Sequence, residues 1–187
     1  GLATRDLDCV IVGDAARLAA ELGRNLGGRV RAHPSFGTAT VELPDDGRLD
    51  LATARCERYS GPAALPQVVP AGLEQDLQRR DFTINCVALD LSPHLFGRLL
   101  DPLEGRADID GRRIRVLHAQ SFRDDPTRTL RAVRFASRLG FRIARGTGRL
   151  LREASGAGLL RRLSAARLRR EVAATLDEPE LARTLSM

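Results

Sequence analysis

The period of the apolar pattern changes along the chain, and this change constrains the fold more than any other feature of the sequence. Up to about residue 54, apolar and polar residues alternate in short runs, apart from one helical pattern between Asp14 and Leu26. From Asp125 onward, apolar residues recur every three or four positions. Alternation is typical of strands with one buried face, and the longer period is typical of amphipathic helices. The sequence therefore predicts an α+β fold, in which a small mixed sheet precedes an all-helical part.

The same patterns place the individual elements and the domain boundary. We predict strands at Leu7–Val12, Arg29–His33, Thr38–Leu43, Leu49–Ala54, Leu99–Leu100 and Arg113–Leu117, and helices at Asp14–Leu26, Leu73–Arg80, Thr83–Leu89, Pro126–Leu139, Gly148–Ala154 and Ser164–Leu176. The proline-rich stretch Tyr59–Gly72 predicts an irregular loop. We place two domains at residues 1–119 and 120–187.

Charge is distributed unevenly between the two ends of the chain. Residues 1–110 contain 12 Arg and 17 acidic residues, whereas residues 111–187 contain 18 Arg and 7 acidic residues. The basic second part favours a polyanion as partner, and the alternative is an ordinary solvated surface. The chain has no Lys, which excludes Schiff-base chemistry and a P-loop lysine.

Composition also limits the cellular setting. No apolar run approaches the roughly 18 residues that a membrane span needs, so no membrane partner is expected. The scattered Cys9, Cys56 and Cys86 lie in apolar strings and are typical of core residues in a reducing, cytoplasmic setting. The three histidines lack the spacing of a zinc site.

Asp6 and Asp8 lie two residues apart in the first predicted strand, so both side chains should lie on one face of the sheet. Two neighbouring carboxylates repel each other unless a proton or a cation intervenes, and Mg²⁺ prefers oxygen ligands. Asp50, in another short strand, could supply a third oxygen to the same face. The alternative is a solvated strand end.

The string Arg79-Arg80-Asp81-Phe82-Thr83-Ile84-Asn85 is the strongest local signal in the chain. Two adjacent guanidinium groups, with a carboxylate to fix them, suit a triphosphate or a ribose edge. The alternative is an arginine-rich helix end that Asp81 caps.

A third signal begins at Asp124. Asp125 and Pro126 form a good helix start, and Arg128, Arg131 and Arg134 follow at intervals of three, opposite Leu130, Val133 and Ala136. An acid and an arginine one helical turn apart can pair with a base edge that carries an amino donor beside a ring-nitrogen acceptor. Adenine and cytosine present that pattern, whereas guanine and uracil do not.

These residues resemble the class II tRNA nucleotidyltransferase and bacterial poly(A) polymerase family, in its head and neck regions. Five motifs carry the resemblance in order: Arg5-Asp6-Leu7-Asp8, Arg79–Asn85, Asp101-Pro102-Leu103-Glu104-Gly105 with Asp108, Asp124-Asp125-Pro126-Thr127-Arg128, and Arg167-Leu168-Arg169-Arg170-Glu171. The resemblance implies a polymerase-β-like head with a small mixed sheet, followed by an all-helical neck.

The resemblance implies Mg²⁺-dependent addition of CMP or AMP to the 3′ end of tRNA, with release of pyrophosphate. Asp6 and Asp8 are then the catalytic metal ligands, with Asp50 as a possible third. The paired acids and the base-reading pair, Asp125 and Arg128, would face the same cleft. The nucleotide-binding residues would be Arg79, Arg80, Asp81, Asn85, Asp124, Asp125, Arg128, Arg131 and Arg134. The partners would be ATP or CTP and tRNA, whose phosphates the basic part would bind.

Two departures from the family shape these expectations. Asp124 stands where the family usually has Glu, and no Gly-Gly-x-Val-Arg-Asp loop precedes Arg5 in this sequence. We therefore expect a head truncated at its N-terminus and a neck truncated at its C-terminus. The alternatives are a catalytically incomplete RNA-binding remnant and a nucleotide-binding regulatory domain. The choice among CCA, CC, A and poly(A) addition, and the oligomeric state, stay open.

Overall fold

The computed structural model describes residues 5–178, which fall into two compact units. Unit 1 takes residues 5–57 and 68–79, and unit 2 takes residues 58–67 and 80–178. The predicted boundary at 119 lies inside unit 2, because Phe82 and Ile114 share one core with Ala132 and Ala136 of a later helix. The division into head and neck as functional domains stays a prediction.

Unit 1 is built on a four-stranded sheet. Its elements are β1 (Asp6–Ile11), α1 (Ala15–Leu26), β2 (Arg29–His33), β3 (Thr38–Glu42), β4 (Arg48–Thr53), and then β5 (Arg55–Arg58), β6 (Gln67–Pro70) and α2 (Leu73–Gln78). The strand order is β1-β4-β3-β2, with β1 parallel to β4 and the other pairs antiparallel. The prediction of a small mixed sheet is confirmed.

Local chemistry explains where α1 begins and ends. The side chain of Asp14 accepts a hydrogen bond from the backbone N–H of Arg17 at 3.0 Å, and Gly27 ends the helix in the left-handed region with φ 66°. The apolar side of α1 covers one face of the sheet, where Ala15, Ala19, Ala39, Val41 and Leu51 form the buried core. The opposite face of the sheet is therefore left to polar side chains.

Unit 2 contains five of the seven α-helices among residues 5–178. Its elements are β7 (Ala88–Leu89), β8 (Leu99–Leu100), α3 (Gly105–Asp110), β9 (Arg113–Ile114), α4 (Ser121–Asp124), α5 (Thr127–Leu139), β10 (Arg142–Ile143), α6 (Arg145–Gly156) and α7 (Ala165–Leu176). Strands β7 and β8 form a hairpin, and β9 pairs in parallel with β10. The core comprises Phe82, Ile114, Val116, Phe122, Ala132, Ala136, Ala154 and Leu159.

Asp101 and Asp108 fix α3 by side-chain hydrogen bonds. The carboxylate of Asp101 accepts from the N–H groups of Gly105 at 2.6 Å and Arg106 at 2.9 Å, where the helix begins. Asp108 is 2% exposed and accepts from Thr83 Oγ1 at 2.7 Å and Arg115 Nε at 2.6 Å. The third of the five motifs, which contains Asp101 and Asp108, therefore anchors α3 within unit 2.

The sequence-based elements differ from the structure in several places. The predicted loop Tyr59–Gly72 contains β6, which pairs with β5, and the predicted helix Thr83–Leu89 is a 3₁₀ turn at Thr83–Asn85 followed by β7. The helical part after 119 also contains the two-residue strand β10, and β5, α3 and α4 were not predicted. Short strands gain stability mainly from the strand they pair with, so their local pattern is weak.

No helix among residues 5–178 is long and apolar enough to cross a membrane.

Candidate functional site

The open face of the sheet in unit 1 carries a row of oxygen-bearing side chains. Cys9 and Ile11 pack with the core under α1, so the alternating Asp6 and Asp8 lie on the opposite face, where both are exposed. In the strand register Asp8 is paired with Asp50. Asp50 in turn is paired with Thr40. The three strands therefore bring Asp8, Asp50 and Thr40 side by side, as the alternation predicted for the acids.

Asp50 is already engaged within this row. Its Oδ1 accepts a hydrogen bond from Thr40 Oγ1 at 2.6 Å, and its Oδ2 lies 2.9 Å from Arg48 Nε. Partial burial raises the pKa of Asp50, but the hydrogen bonds from Thr40 and Arg48 lower it more, so its pKa lies below the ordinary value. Arg48 thus forms an ion pair with Asp50, the acid that was considered as a third metal ligand.

Asp6 and Asp8 suit a magnesium ion. Among residues 5–178, no group of three or more His, Cys, Asp or Glu side chains converges as a metal site. Mg²⁺ is commonly held by one or two carboxylates together with substrate phosphates and water. Asp6 and Asp8, two exposed carboxylates on one face of β1, match that donor set.

Arg79 belongs to an ion-pair network of unit 1. Its Nε and Nη2 lie 2.9 and 2.8 Å from Oδ1 of Asp76, which is 0% exposed. Its Nη1 lies 3.2 Å from Oε1 of Glu57, and Asp76 also accepts from the N–H of Arg55 at 3.2 Å. Arg79 therefore ties the end of α2 to β5.

Arg80, Asp81 and Asn85 lie together in unit 2. Asp81 is 8% exposed, and its Oδ1 accepts from the N–H of Phe82 at 2.9 Å and from Asn85 Nδ2 at 2.8 Å. Arg80 Nη1 donates to the carbonyl oxygen of Asn85 at 2.8 Å. Oδ2 of Asp81 accepts from Nε and Nη2 of Arg131 at 2.8 and 2.5 Å. Arg80, Asp81 and Asn85 of the second motif thus form one hydrogen-bonded group with Arg131 of α5.

The arginine stripe of α5, consisting of Arg128, Arg131 and Arg134, contacts other residues of unit 2. Arg134 Nη2 lies 3.2 Å from Glu171 Oε2 on α7, and Glu171 is 4% exposed. The guanidinium groups of Arg131 and Arg134 also lie 5.4 Å from the ring centroid of Phe135. The side predicted to oppose the apolar residues therefore makes the contact between α5 and α7.

Asp125 and Arg128 lie at the start of α5, where each side chain is held by its own partners. Oδ1 of Asp125 accepts from Thr127 N–H at 2.9 Å, Thr127 Oγ1 at 2.5 Å and Arg167 Nη2 at 2.7 Å. Arg128 is 5% exposed and donates from Nη1 to Ser121 Oγ at 2.9 Å. The helix itself begins at Thr127, after Pro126, so Asp125 caps it from just outside.

Asp124 has a neighbour that the sequence did not indicate. Its Oδ2 lies 4.0 Å from His118 Nε2. Burial lowers the pKa of His118 below its ordinary value, Asp124 opposes this shift, and Arg128 adds to it. The contacts of His118, Ser121 and Arg167 with Asp124, Arg128 and Asp125 were not predicted, because no local pattern shows which distant residues meet.

Known proteins resemble the chain over most of its length. The family model for the Poly A polymerase head domain matches residues 1–115. An A-adding tRNA nucleotidyltransferase of Aquifex aeolicus is 47% identical over 155 residues, which are 83% of this chain and 19% of the relative. An A-adding tRNA nucleotidyltransferase of Halalkalibacterium halodurans is 45% identical over 150 residues, which are 80% of this chain and 35% of the relative.

Solved structures resemble the chain as well. One is a crystal structure of a tRNA nucleotidyltransferase complexed with a primer tRNA and an incoming ATP analogue, with a TM-score of 0.86 and 40% identity. The similarity covers 100% of this chain and 52% of that one. The chain thus spans about half or less of the length of these relatives.

Proposed function

Because the chain belongs to the Poly A polymerase head domain family and is 47% identical to an A-adding tRNA nucleotidyltransferase, we propose that it transfers AMP or CMP to the 3′ end of tRNA. The observation that carries this proposal is the pair of exposed carboxylates, Asp6 and Asp8, on the open face of the sheet in unit 1. An Asp-x-Asp pair at that place in this family is suited to binding a divalent cation with a triphosphate.

Asp6 and Asp8 would hold Mg²⁺. When bound, the ion supplies charge neutralisation for the triphosphate and for the leaving pyrophosphate. The two carboxylates contribute oxygen ligands that are fixed on one strand. The adjacent Asp50 is instead bonded to Arg48 through both of its carboxylate oxygens. Asp50 then acts beside the metal site and not as a ligand.

Arg80, Asp81 and Asn85 would bind the ribose and phosphates, and Asp125 with Arg128 would select the base. The acid accepts from the exocyclic amino group of adenine or cytosine, and the arginine donates to the neighbouring ring nitrogen. The burial of Arg128 and its bond to Ser121 support this role, because a selective site needs side chains held before the ligand arrives. Asp124, Arg131 and Arg134 would support the pair, and Arg79 would fix the end of α2.

The exposed arginines of unit 2 favour a second candidate, an RNA-binding protein without transfer activity. On α6 and α7, Arg145, Arg149, Arg152, Arg169 and Arg170 are exposed. Such residues can bind phosphates whether or not the chemistry occurs.

One experiment separates the two candidates. The chain is incubated with Mg²⁺, tRNA lacking its 3′ end and labelled ATP or CTP. We expect label on the tRNA with the natural sequence, a loss of at least about 100-fold in Asp6→Asn and Asp8→Asn, and no change in Glu21→Gln, an α1 control in the same unit. Retention of tRNA without label, in the presence of each nucleotide, would establish the second candidate.

A further inference from the structure

The side chain of Arg167 joins three separate parts of unit 2. It lies on α7 and donates from Nη2 to Asp125 Oδ1 at 2.7 Å and from Nη1 to the carbonyl oxygen of Ala63 at 3.0 Å. The side chains of Arg167 and Asp125 are only 16% and 21% exposed. One guanidinium group therefore occupies two fixed acceptors from distant points of the sequence.

The bonds to Asp125 all converge on one oxygen. Oδ1 accepts from Arg167 and from the N–H and Oγ1 of Thr127. Among residues 5–178, the hydrogen bonds to this carboxylate leave Oδ2 without a protein donor. A carboxylate oxygen can accept further hydrogen bonds, so Oδ2 is the atom that can accept from a base.

The second acceptor of Arg167 is itself held in place. Ala63 has φ 63°, a conformation that costs energy for a residue with a Cβ, and its N–H donates to the carbonyl oxygen of Arg123 at 3.1 Å. The carbonyl group of Ala63 itself is thereby held towards Arg167. A planar guanidinium group held at two nitrogens cannot rotate freely, so its contact to Asp125 has a defined direction.

We propose that Arg167 is a positioning residue for base selection, because it orients Asp125 so that Oδ2 receives the exocyclic amino group of adenine or cytosine. This inference rests on the proposed function of Asp125 and adds the group that sets its orientation. Arg167 does not touch the nucleotide, and its effect is confined to ligands that carry the amino group.

The test compares two nucleotides that differ only in that group. Affinities of the 187-residue chain are measured for ATP and for purine riboside triphosphate, which lacks the 6-amino group. A hydrogen bond to a charged acceptor gives about 10- to 100-fold in affinity, so the natural sequence should prefer ATP by about that factor. In Arg167→Gln the preference should fall to about twofold or less, with the affinity for the purine analogue almost unchanged.

Two further variants define the comparison. Arg24→Gln removes an exposed arginine from α1, to which no binding role is assigned, and should keep the full preference for ATP. Arg167→Lys keeps the charge without the planar fork and should give an intermediate preference. If circular dichroism shows that Arg167→Gln is unfolded, the ATP preference of Arg167→Lys tests the positioning role instead.

The outcomes distinguish this inference from the proposed function. A full preference for ATP in folded Arg167→Gln or Arg167→Lys, or an equal loss of affinity for both nucleotides, would overturn the positioning role alone. Equal affinity of the natural sequence for the two nucleotides would overturn the base-reading role of Asp125, and the role of Arg167 with it.

Discussion

At the scale of single residues, the bond between Asp81 and Arg131 should matter more than any exposed ion pair. Asp81 is 8% exposed, whereas both side chains of the Arg149 and Glu153 pair are more than 60% exposed. Removing one partner of a buried pair costs about 3–5 kcal/mol, and an exposed helical pair contributes only about 0.3–0.5 kcal/mol. Because Arg131 is one-third exposed, we expect Asp81→Ala to lower the free energy of unfolding by about 2–3 kcal/mol in urea titrations, and Glu153→Ala by under about 0.5 kcal/mol. Equal effects would show that the bond to Arg131 contributes little.

His118 gives a second prediction at this scale. Its pKa is lowered mainly by burial, so the unfolded chain takes up the proton more readily than the folded one. The contribution of this group to stability is therefore complete above its ordinary pKa of about 6.5 and is lost as the pH falls through the lower folded value. Urea titrations between about pH 7.5 and 5 should show a smaller loss of stability in His118→Gln than in the natural sequence. An identical pH dependence in the two proteins would show that protonation of His118 does not contribute to the loss of stability.

At the scale of secondary-structure elements, the start of α3 depends on a glycine. A Cβ at Gly105 would lie 2.1 Å from the backbone oxygen of Thr83, whereas a Cβ at Gly146 in α6 would meet nothing within 4 Å. We expect Gly105→Ala to lower the melting temperature, with a cost of about 1–3 kcal/mol, because backbone must move to make room. Gly146→Ala should raise it, since alanine in a helix is favoured over glycine by about 0.5–1 kcal/mol. Thermal unfolding of both variants should give opposite signs, and a stabilising Gly105→Ala would contradict the close contact.

At the scale of the whole molecule, charge should govern RNA binding. The formal net charge is +6, and the excess of arginine lies after residue 110. Each phosphate contact releases about 0.7–0.9 of a counterion, so tRNA affinity should fall steeply with salt. Filter binding at several salt concentrations should give a slope smaller by about one for Arg152→Gln, which changes an exposed residue of α6, and the same slope for Arg17→Gln on α1. A slope unaffected by Arg152→Gln would exclude Arg152 from the RNA contact.

Local sequence patterns predicted the parts of the fold that have local causes. Asp14 and Gly27 bound α1 by their own conformations, and the strand Arg29–His33 was placed as the structure has it. The alternation of Asp6 and Asp8 put them on one face for the same reason, since side-chain direction along a strand depends only on spacing. These features need no knowledge of any distant contact.

The tertiary structure decided which groups meet. Arg79 and Arg80 are adjacent, yet one bonds to Asp76 in unit 1 and the other to Asn85 in unit 2. Asp125 receives Arg167 from 42 positions further along the chain. Periodicity reports which side of an element is buried, but the partner of a buried charge depends on how distant segments pack. For this chain, sequence alone therefore determined which residue types are available for the proposed catalysis and base selection, and only packing decided which of their atoms stay accessible.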